Sequence, residues 1–207
     1  MHLPDGLVPV EMALTGYGAS AALTALALYC IRRQPDPRAD LPRAAMLTTV
    51  FFAASAIAVP VPPVTAHLML TGLMGVMLGW FAVPAIMVGL FLQAILLGHG
   101  GLTTLGLNGL ILCPPALLAF AVWRLAGARF PDPAALLAGS GTVLLSLAIL
   151  AGLVLAGLPA EIDAPAERAA LGVLVLAHLP LVLAEGVIVM AVLRLLRRIE
   201  PALLPHG

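Results

Sequence analysis

The sequence predicts an all-α integral membrane protein, a seven-transmembrane-helix bundle whose N-terminus lies outside and whose C-terminus is cytoplasmic. Three observations support this fold class: the composition, the length of the uncharged runs, and the distribution of the arginines. Of the 207 residues, 62% are hydrophobic and only 10% are charged, whereas a soluble domain carries about 25% charged residues. The composition therefore excludes a soluble enzyme. The zero net charge also gives no electrostatic footprint for nucleic acid.

The uncharged runs are long enough for transmembrane helices, because about 20 apolar residues cross the hydrocarbon core of a bilayer. The predicted spans are 12–31, 44–60, two within 64–98, and then 103–124, 134–158 and 169–193. The run 64–98 would be about 50 Å long as a helix, against a core of about 30 Å. We therefore predict a turn near Gly79-Trp80-Phe81. The whole chain, 1–207, is predicted to be one transmembrane domain.

The arginines give the orientation, since cytoplasmic loops are enriched in Lys and Arg. With the N-terminus outside, nine of the ten arginines lie on the cytoplasmic side, and only Arg168 lies outside. The nine are Arg32, Arg33, Arg38, Arg43, Arg124, Arg129, Arg194, Arg197 and Arg198. The chain has no lysine, so it lacks the Walker A loop of an ATPase. Any ATP hydrolysis must be performed by another chain.

The same topology gathers four of the five histidines at or near the outer face. These are His2, His67, His99 and His178, while His206 lies in the cytoplasmic tail. Imidazole is the commonest metal ligand, and ionisable groups within a membrane are usually functional. The alternative for each histidine is an interfacial residue satisfied by a hydrogen bond.

His2 has a special position for metal binding. A free amine on Met1, the amide nitrogen of His2 and its imidazole can close two fused chelate rings on one ion. A second imidazole would complete four nitrogens in a plane, a geometry that suits Ni(II) or Cu(II). We expect Met1 to be retained, because His2 is large. The alternative is a solvated, frayed terminus, although the turn-forming Pro4-Asp5-Gly6 favours a folded one.

Other unusual groups lie close to the predicted spans. His99 is followed by Thr104 and Asn108 in a glycine-rich stretch. Glu185 is a carboxylate within the last span, either paired inside the bundle or placed at a contact with another membrane subunit. The small residues Ala54 and Ala58 would permit close approach of a partner helix.

Four segments together resemble motifs of the CbiM/NikM family, in the same order and over nearly the whole chain. They are Met1 to Gly6, Pro60 to His67, Gln93 to Asn108, and His178 to Gly186. The family comprises substrate-specific membrane subunits of energy-coupling-factor importers for cobalt and nickel. The resemblance implies a seven-helix bundle and a transport subunit, not an enzyme.

The resemblance also implies a set of metal ligands. They would be the Met1 amine, the His2 amide and imidazole, and the His67 imidazole. His99, Thr104, Asn108 and His178 would support or shield this site. No tightly bound cofactor is implied, because Co(II) or Ni(II) is the cargo. The implied partners are a transmembrane coupling subunit, a pair of cytoplasmic ATPases, a small auxiliary membrane subunit and the lipid bilayer.

Three points remain open at the level of sequence: the metal, the path of one loop and the alternative functions. His99 with Leu102-Thr103-Thr104 resembles cobalt-type members, whereas the Pro4-Asp5 start occurs in nickel-type ones. The loop 62–65 also departs from the glycines and serines of relatives. The alternative functions are an intramembrane metalloenzyme, for which no HExxH motif is present, and a proton-coupled secondary carrier that uses Glu185.

Overall fold

The helices of the chain are interrupted by one short β-hairpin. The computed structural model describes residues 2–61, 64–157 and 164–204, with the side chains of 58–61, 64–66, 164–168, 170 and 171 left out. Within these residues the α-helices are α1 (Val10–Arg32), α2 (Leu41–Ser55), α3 (Thr71–Leu78), α4 (Ala82–Leu92), α5 (Leu105–Ala126), α6 (Pro131–Gly157) and α7 (Ala164–Ile199). Strands β1 (Ala58–Val61) and β2 (Val64–His67) pair antiparallel. A 3₁₀ turn covers Gly79–Phe81, a π-helical turn covers Gln93–Leu97, and a second 3₁₀ turn covers Pro201–Leu203.

Five helical segments are long and apolar enough to cross a membrane. They are Val10–Arg32, Thr71–Leu97, Leu105–Ala126, Pro131–Gly157 and Gly172–Ile199. Their high hydropathy and the many large apolar side chains on the outer surface are those of helices that face lipid rather than water. The all-helical, membrane-embedded character predicted from composition is thus confirmed for the greater part of the described chain.

The second predicted span was wrong in its extent. We expected a helix over 44–60, but α2 ends at Ser55, and its 15 residues reach only about 22 Å. Residues 58–61 form β1 instead, with Ala58 opposite His67 in the register of the hairpin. Proline cannot donate a helical hydrogen bond and clashes with the preceding turn, so Pro60 is incompatible with continuing α2.

The segment Thr71–Leu97 turns back on itself at Gly79, as the sequence predicted. Gly79 has φ +56°, a backbone conformation that glycine adopts without strain. Before the turn, Gly75 packs so closely on α5 that an added Cβ would lie 2.0 Å from the Ala116 oxygen. After the turn, Val83 contacts Cys113, which lies earlier in α5 (O to Sγ, 3.9 Å). Hence α3 runs parallel to α5, and α4 returns antiparallel to it.

The two ends of the bundle carry different residues. At one end, which we call the arginine end, Arg197 pairs with Asp132 at 2.5 Å, and Arg43 donates to the Leu203 oxygen at 2.9 Å. At the other, the histidine end, lie His67 and His99, whose ring centroids are 4.3 Å apart. The half-buried imidazoles of His67 and His99 thus lie at the opposite end of the bundle from Arg43 and Arg197.

The small residue Ala54 lies in the interior of this chain. It is 8% exposed and belongs to the same buried cluster as Leu73 and Val76 of α3. Its expected role as an approach surface for a partner helix is therefore wrong. Ala58 lies in β1 rather than in a helix, so it offers no helix face to a partner.

Candidate metal centre

The N-terminal segment is held inside the histidine end by its own backbone. The Leu3 amide donates to Asn108 Oδ1 at 2.8 Å. The Leu3 oxygen accepts hydrogen bonds from Thr104 Oγ1 at 2.6 Å and Asn108 Nδ2 at 3.1 Å. Leu3 itself is 1% exposed. A frayed, solvated start to the chain is thereby excluded for residues 2 and 3, and Thr104 and Asn108 hold the residue next to His2.

A second contact fixes the same segment two residues further on. Asp5 Oδ1 accepts hydrogen bonds from the Thr103 amide at 2.9 Å and from Thr103 Oγ1 at 2.5 Å. These bonds, with that of the hydroxyl foremost, lower the pKa of Asp5. Sequence analysis treated Asp5 only as part of a turn. The signal available was the acid in the turn-forming Pro4-Asp5-Gly6, whose partner Thr103 lies 98 residues away.

Two glycines allow the loop after the π-helical turn to close over this segment. Gly100 has φ +79°, and an added Cβ would lie 2.9 Å from Asn108 Nδ2 and 3.4 Å from His2 Cβ. An added Cβ on Gly101 would lie 1.9 Å from Asp5 Oδ1. Any side chain at Gly101 would thus displace the N-terminal segment.

Three imidazoles meet beneath that loop. The rings of His67 and His99 lie 4.3 Å apart at an angle of 50°, and His2 is close enough for both rings to affect it electrostatically. Burial, first, and then the positive charge of the N-terminus and the neighbouring imidazoles hold the pKa of His2 well below 6.5. The same causes lower the pKa of His67. The lowered pKa of each ring favours its neutral form, in which a ring nitrogen can bind a metal.

The imidazoles at this end leave buried nitrogens without hydrogen-bond partners. These are His2 Nε2, His67 Nδ1 and His99 Nδ1. Buried polar atoms are almost always satisfied in native proteins, so such a group requires an explanation. A bound cation would explain the missing partners of those nitrogens that act as its ligands.

Side chains alone do not complete a metal site among the described residues. No group of three His, Cys, Asp or Glu side chains there is placed to hold a metal ion. The ligand set implied by the family resemblance has only two side chains, His2 and His67, and takes its other nitrogens from the backbone and the terminal amine. Met1, which would carry that amine, lies outside the described residues.

Gln93 is a site residue that the sequence analysis did not single out. It is fully buried at the first position of the π-helical turn, and neither of its side-chain polar atoms has a hydrogen-bond partner. It lies beside His2 and influences the pKa of that ring. The available signal was a lone amide within a 55-residue stretch that has no Asp, Glu or Arg.

His178 and Glu185 are buried side chains of α7. His178 Nδ1 bonds to the Leu174 oxygen at 2.8 Å, and its Nε2 is buried without a partner. Glu185 is 0% exposed, and its carboxylate accepts hydrogen bonds from the Met69 and Leu70 amides. The possible contact of Glu185 with another subunit is therefore wrong, because the carboxylate is enclosed by this chain.

A family model described as "Cobalt uptake substrate-specific transmembrane region" matches residues 2–203. The chain belongs to the CbiM family. It is therefore a membrane component of cobalt or nickel transport, and the resemblance drawn from the four motifs is confirmed. Multi-pass insertion agrees with the five apolar helical segments and is consistent with a bacterial inner membrane.

Individual relatives agree with membership of the CbiM family. Cobalt transport protein CbiM 2 of Pelobacter propionicus is 37% identical over 212 residues, covering 96% of this chain and 91% of that protein. The fused nickel transport protein NikMN of Rhodobacter capsulatus is 35% identical over 167 residues, 79% of this chain and 46% of that longer protein. These relatives are named as transport proteins rather than enzymes.

A solved structure shares the fold of this CbiM-family chain. The crystal structure of a truncated transition metal transporter superposes with a TM-score of 0.82, covering 96% of this chain and 99% of that one. The two sequences are 22% identical, so this similarity supports the helix arrangement alone.

Proposed function

We propose that the chain is the substrate-binding subunit of an ATP-driven energy-coupling-factor importer for Co(II) or Ni(II). It captures the ion at the outer face through N-terminal and histidine nitrogens. The observation that carries this proposal is the clamp of Asn108 and Thr104 on Leu3, which brings His2 to the His67–His99 pair. The bonds of Leu3 to Asn108 and Thr104 hold the neighbouring His2 at the histidine end, where an imidazole can bind a metal.

The proposed ligands are the Met1 amine, the His2 amide nitrogen, the His2 imidazole and the His67 imidazole. Four nitrogens in one plane suit a tetragonal ion. His99 lies against His67 and would shield the ion from water, while Gln93 lies beside the ring of His2. Partners of this kind orient metal-binding imidazoles and commonly affect metal affinity 10–100-fold.

The proposed topology has seven crossings within one domain, 1–207, with the histidine end outside and the arginine end cytoplasmic. The support for this count is the reversal of the chain direction at Gly79, from which the proposal takes α3 and α4 as two crossings. The arginine end carries Arg43, Arg194 and Arg197, as the positive-inside rule requires of a cytoplasmic face.

Impermeant thiol labelling of intact cells tests this topology. In a background carrying Cys30→Ala and Cys113→Ala, single cysteines would replace the exposed Asp36, Ala128 and Leu7. We expect external labelling only of Leu7→Cys, because Asp36 and Ala128 lie in arginine-flanked loops. Permeabilised cells serve as the control and should label all three. External labelling at positions 36 and 128 would contradict the orientation.

The proposed partners supply the energy. They are a transmembrane coupling subunit, a cytoplasmic ATPase pair and a small auxiliary membrane subunit. The support within this chain is the absence of lysine, which leaves it without a Walker A loop. Glu185, the group that a proton-coupled carrier would use, accepts hydrogen bonds from backbone amides instead.

Metal analysis of the purified chain tests the proposal directly. We expect about one Ni(II) or Co(II) per chain in the absence of any partner, with competition between the two ions deciding the cargo. Uptake by cells should require the ATPase pair. Binding without uptake in cells lacking the ATPases supports the proposal, whereas uptake without them would favour the secondary carrier. Turnover of a substrate by the metal-loaded chain would favour the metalloenzyme.

A further inference from the structure

We infer that Glu185 is a positioning residue that holds His67 in place for metal binding. This inference rests on the proposed function, because it concerns the loop that carries a proposed ligand. Glu185 lies in the middle of α7, whereas His67 ends β2. The two are connected through residues 69 and 70, which link β2 to α3.

The carboxylate is bonded to this connection at short range. Glu185 Oε1 accepts hydrogen bonds from the Met69 amide at 2.5 Å and the Leu70 amide at 2.9 Å. Its Oε2 lies 3.0 Å from the same Leu70 amide. Met69 and Leu70 are 1% and 7% exposed, so water does not compete for these amides. Without Glu185 two buried donors would be left unsatisfied, which is strongly unfavourable.

The connection also has a backbone that requires external support. Leu70 has φ +50° and ψ +24° at the position preceding α3, and among non-glycine residues this left-handed conformation is uncommon. Strained backbone persists only where the surroundings determine it. The bonds of the Met69 and Leu70 amides to one carboxylate hold Leu70 in this conformation. They also set the direction in which the chain leaves His67.

The position of the carboxylate is itself fixed by close packing of α7 on α6. An added Cβ on Gly139 would lie 2.7 Å from the backbone carbonyl oxygen of Glu185, and one on Gly186 would lie 2.1 Å from Ser140 Oγ. Ser140 in turn donates to the Val182 oxygen at 2.9 Å. Glu185 is thus attached to a rigid helix pair rather than to a mobile surface.

The two substitutions tested at Glu185, glutamine and leucine, should rank by their hydrogen-bonding capacity. Glutamine keeps one oxygen for the two amides but turns an NH₂ group toward the Leu70 amide, which is also a donor. Leucine retains much of the volume and removes both acceptors. We expect metal affinity to fall about 10–100-fold in Glu185→Leu, in the range seen when groups that orient a ligand are lost, and less in Glu185→Gln.

The test combines metal titration with a direct probe of position 67. Ni(II) and Co(II) affinity are measured for the full chain, Glu185→Gln, Glu185→Leu and His67→Ala. In a Cys30→Ala/Cys113→Ala background, His67→Cys then reports the accessibility of the loop through its rate of maleimide labelling. We expect this rate to rise in the order glutamate, glutamine, leucine at position 185, because the loop is released.

Thr142→Val is the matched control for stability. Thr142 lies in α6, is 2% exposed and donates to the Gly139 oxygen at 2.7 Å, so its loss destabilises the same helix pair without touching the loop. We expect Thr142→Val to lower the melting temperature and to leave both affinity and labelling rate unchanged. Equal changes in Thr142→Val and the Glu185 variants would reduce Glu185 to a general stabilising role.

The outcomes separate this inference from the proposed function. If His67→Ala retains full affinity, the proposed ligand set is wrong. If His67→Ala loses affinity but both Glu185 variants match the unmodified chain, the proposed function stands and the positioning role is overturned. Should Glu185→Leu not give folded protein, Glu185→Gln carries the test, and unchanged affinity and labelling rate in that variant overturn the inference.

Discussion

A single glycine added before Met1 is expected to abolish high-affinity Ni(II) or Co(II) binding. The extension converts the Met1 amine into an amide, which must lose a proton before it can ligate a metal. The extension would also have to be accommodated beside a segment in which Leu3 is 1% exposed and its backbone is bonded to Asn108 and Thr104. The loss of the free amine and the bulk of the added residue should therefore both weaken metal binding.

The measurement compares metal content and titration for protein that starts at Met1 and for protein that starts with the added glycine. Intact masses confirm each start, and both carry the purification tag at the C-terminus. A glycine added after Gly207 is the matched control and should bind like the unextended chain. Equal binding by the N-terminally extended protein would remove Met1 from the site and leave ligation by side chains alone.

His67→Ala is expected to lose most metal binding while the protein still folds. The variant lacks one of four proposed nitrogens, whereas the ring contributes to the fold little beyond a contact with His99 and a hydrogen bond worth about 1 kcal/mol. Metal titration and thermal unfolding of the metal-free protein check the two parts separately. We expect the unfolding temperature to change by only a few degrees.

Two histidine variants serve as comparisons for His67→Ala. His206→Ala removes an imidazole that the topology puts on the cytoplasmic side, and it should bind metal normally. His99→Ala removes the ring 4.3 Å from His67, and it should weaken binding less than His67→Ala. Wild-type stoichiometry and affinity in His67→Ala would show that His67 is not a ligand.

Much of the fold can be predicted from the lengths of the apolar runs and the positions of the arginines in the sequence. The helices were predicted because apolar runs and arginine counts depend on composition along the chain, and the turn at Gly79 followed from helix length against membrane thickness. The hairpin of β1 and β2 was missed because Pro60 signals only where α2 must stop. Beyond that point β1 forms by backbone pairing with β2, and this pairing depends on the residues of β2 as well as on those of β1.

The candidate site, like the fold, could be predicted from the sequence only in part. His2 and His67 stand out in the sequence because their chemistry is unusual for their position. The role of Glu185 was not accessible, because its partners are backbone amides 115 and 116 residues away, and amides carry no residue-specific signal. Gln93 was overlooked for a related reason, since its significance comes from the ring of His2 beside it rather than from its own motif.

The separation in sequence between the clamped segment and its partners has a consequence for biosynthesis. Leu3 is synthesised before Asn108, its hydrogen-bond partner, which follows 105 residues later. Glu185, which fixes the connection after His67, is made later still. Long-range contacts of this kind form only after the intervening chain is available. We therefore expect the proposed capture site to reach its final geometry only after α7 has been made.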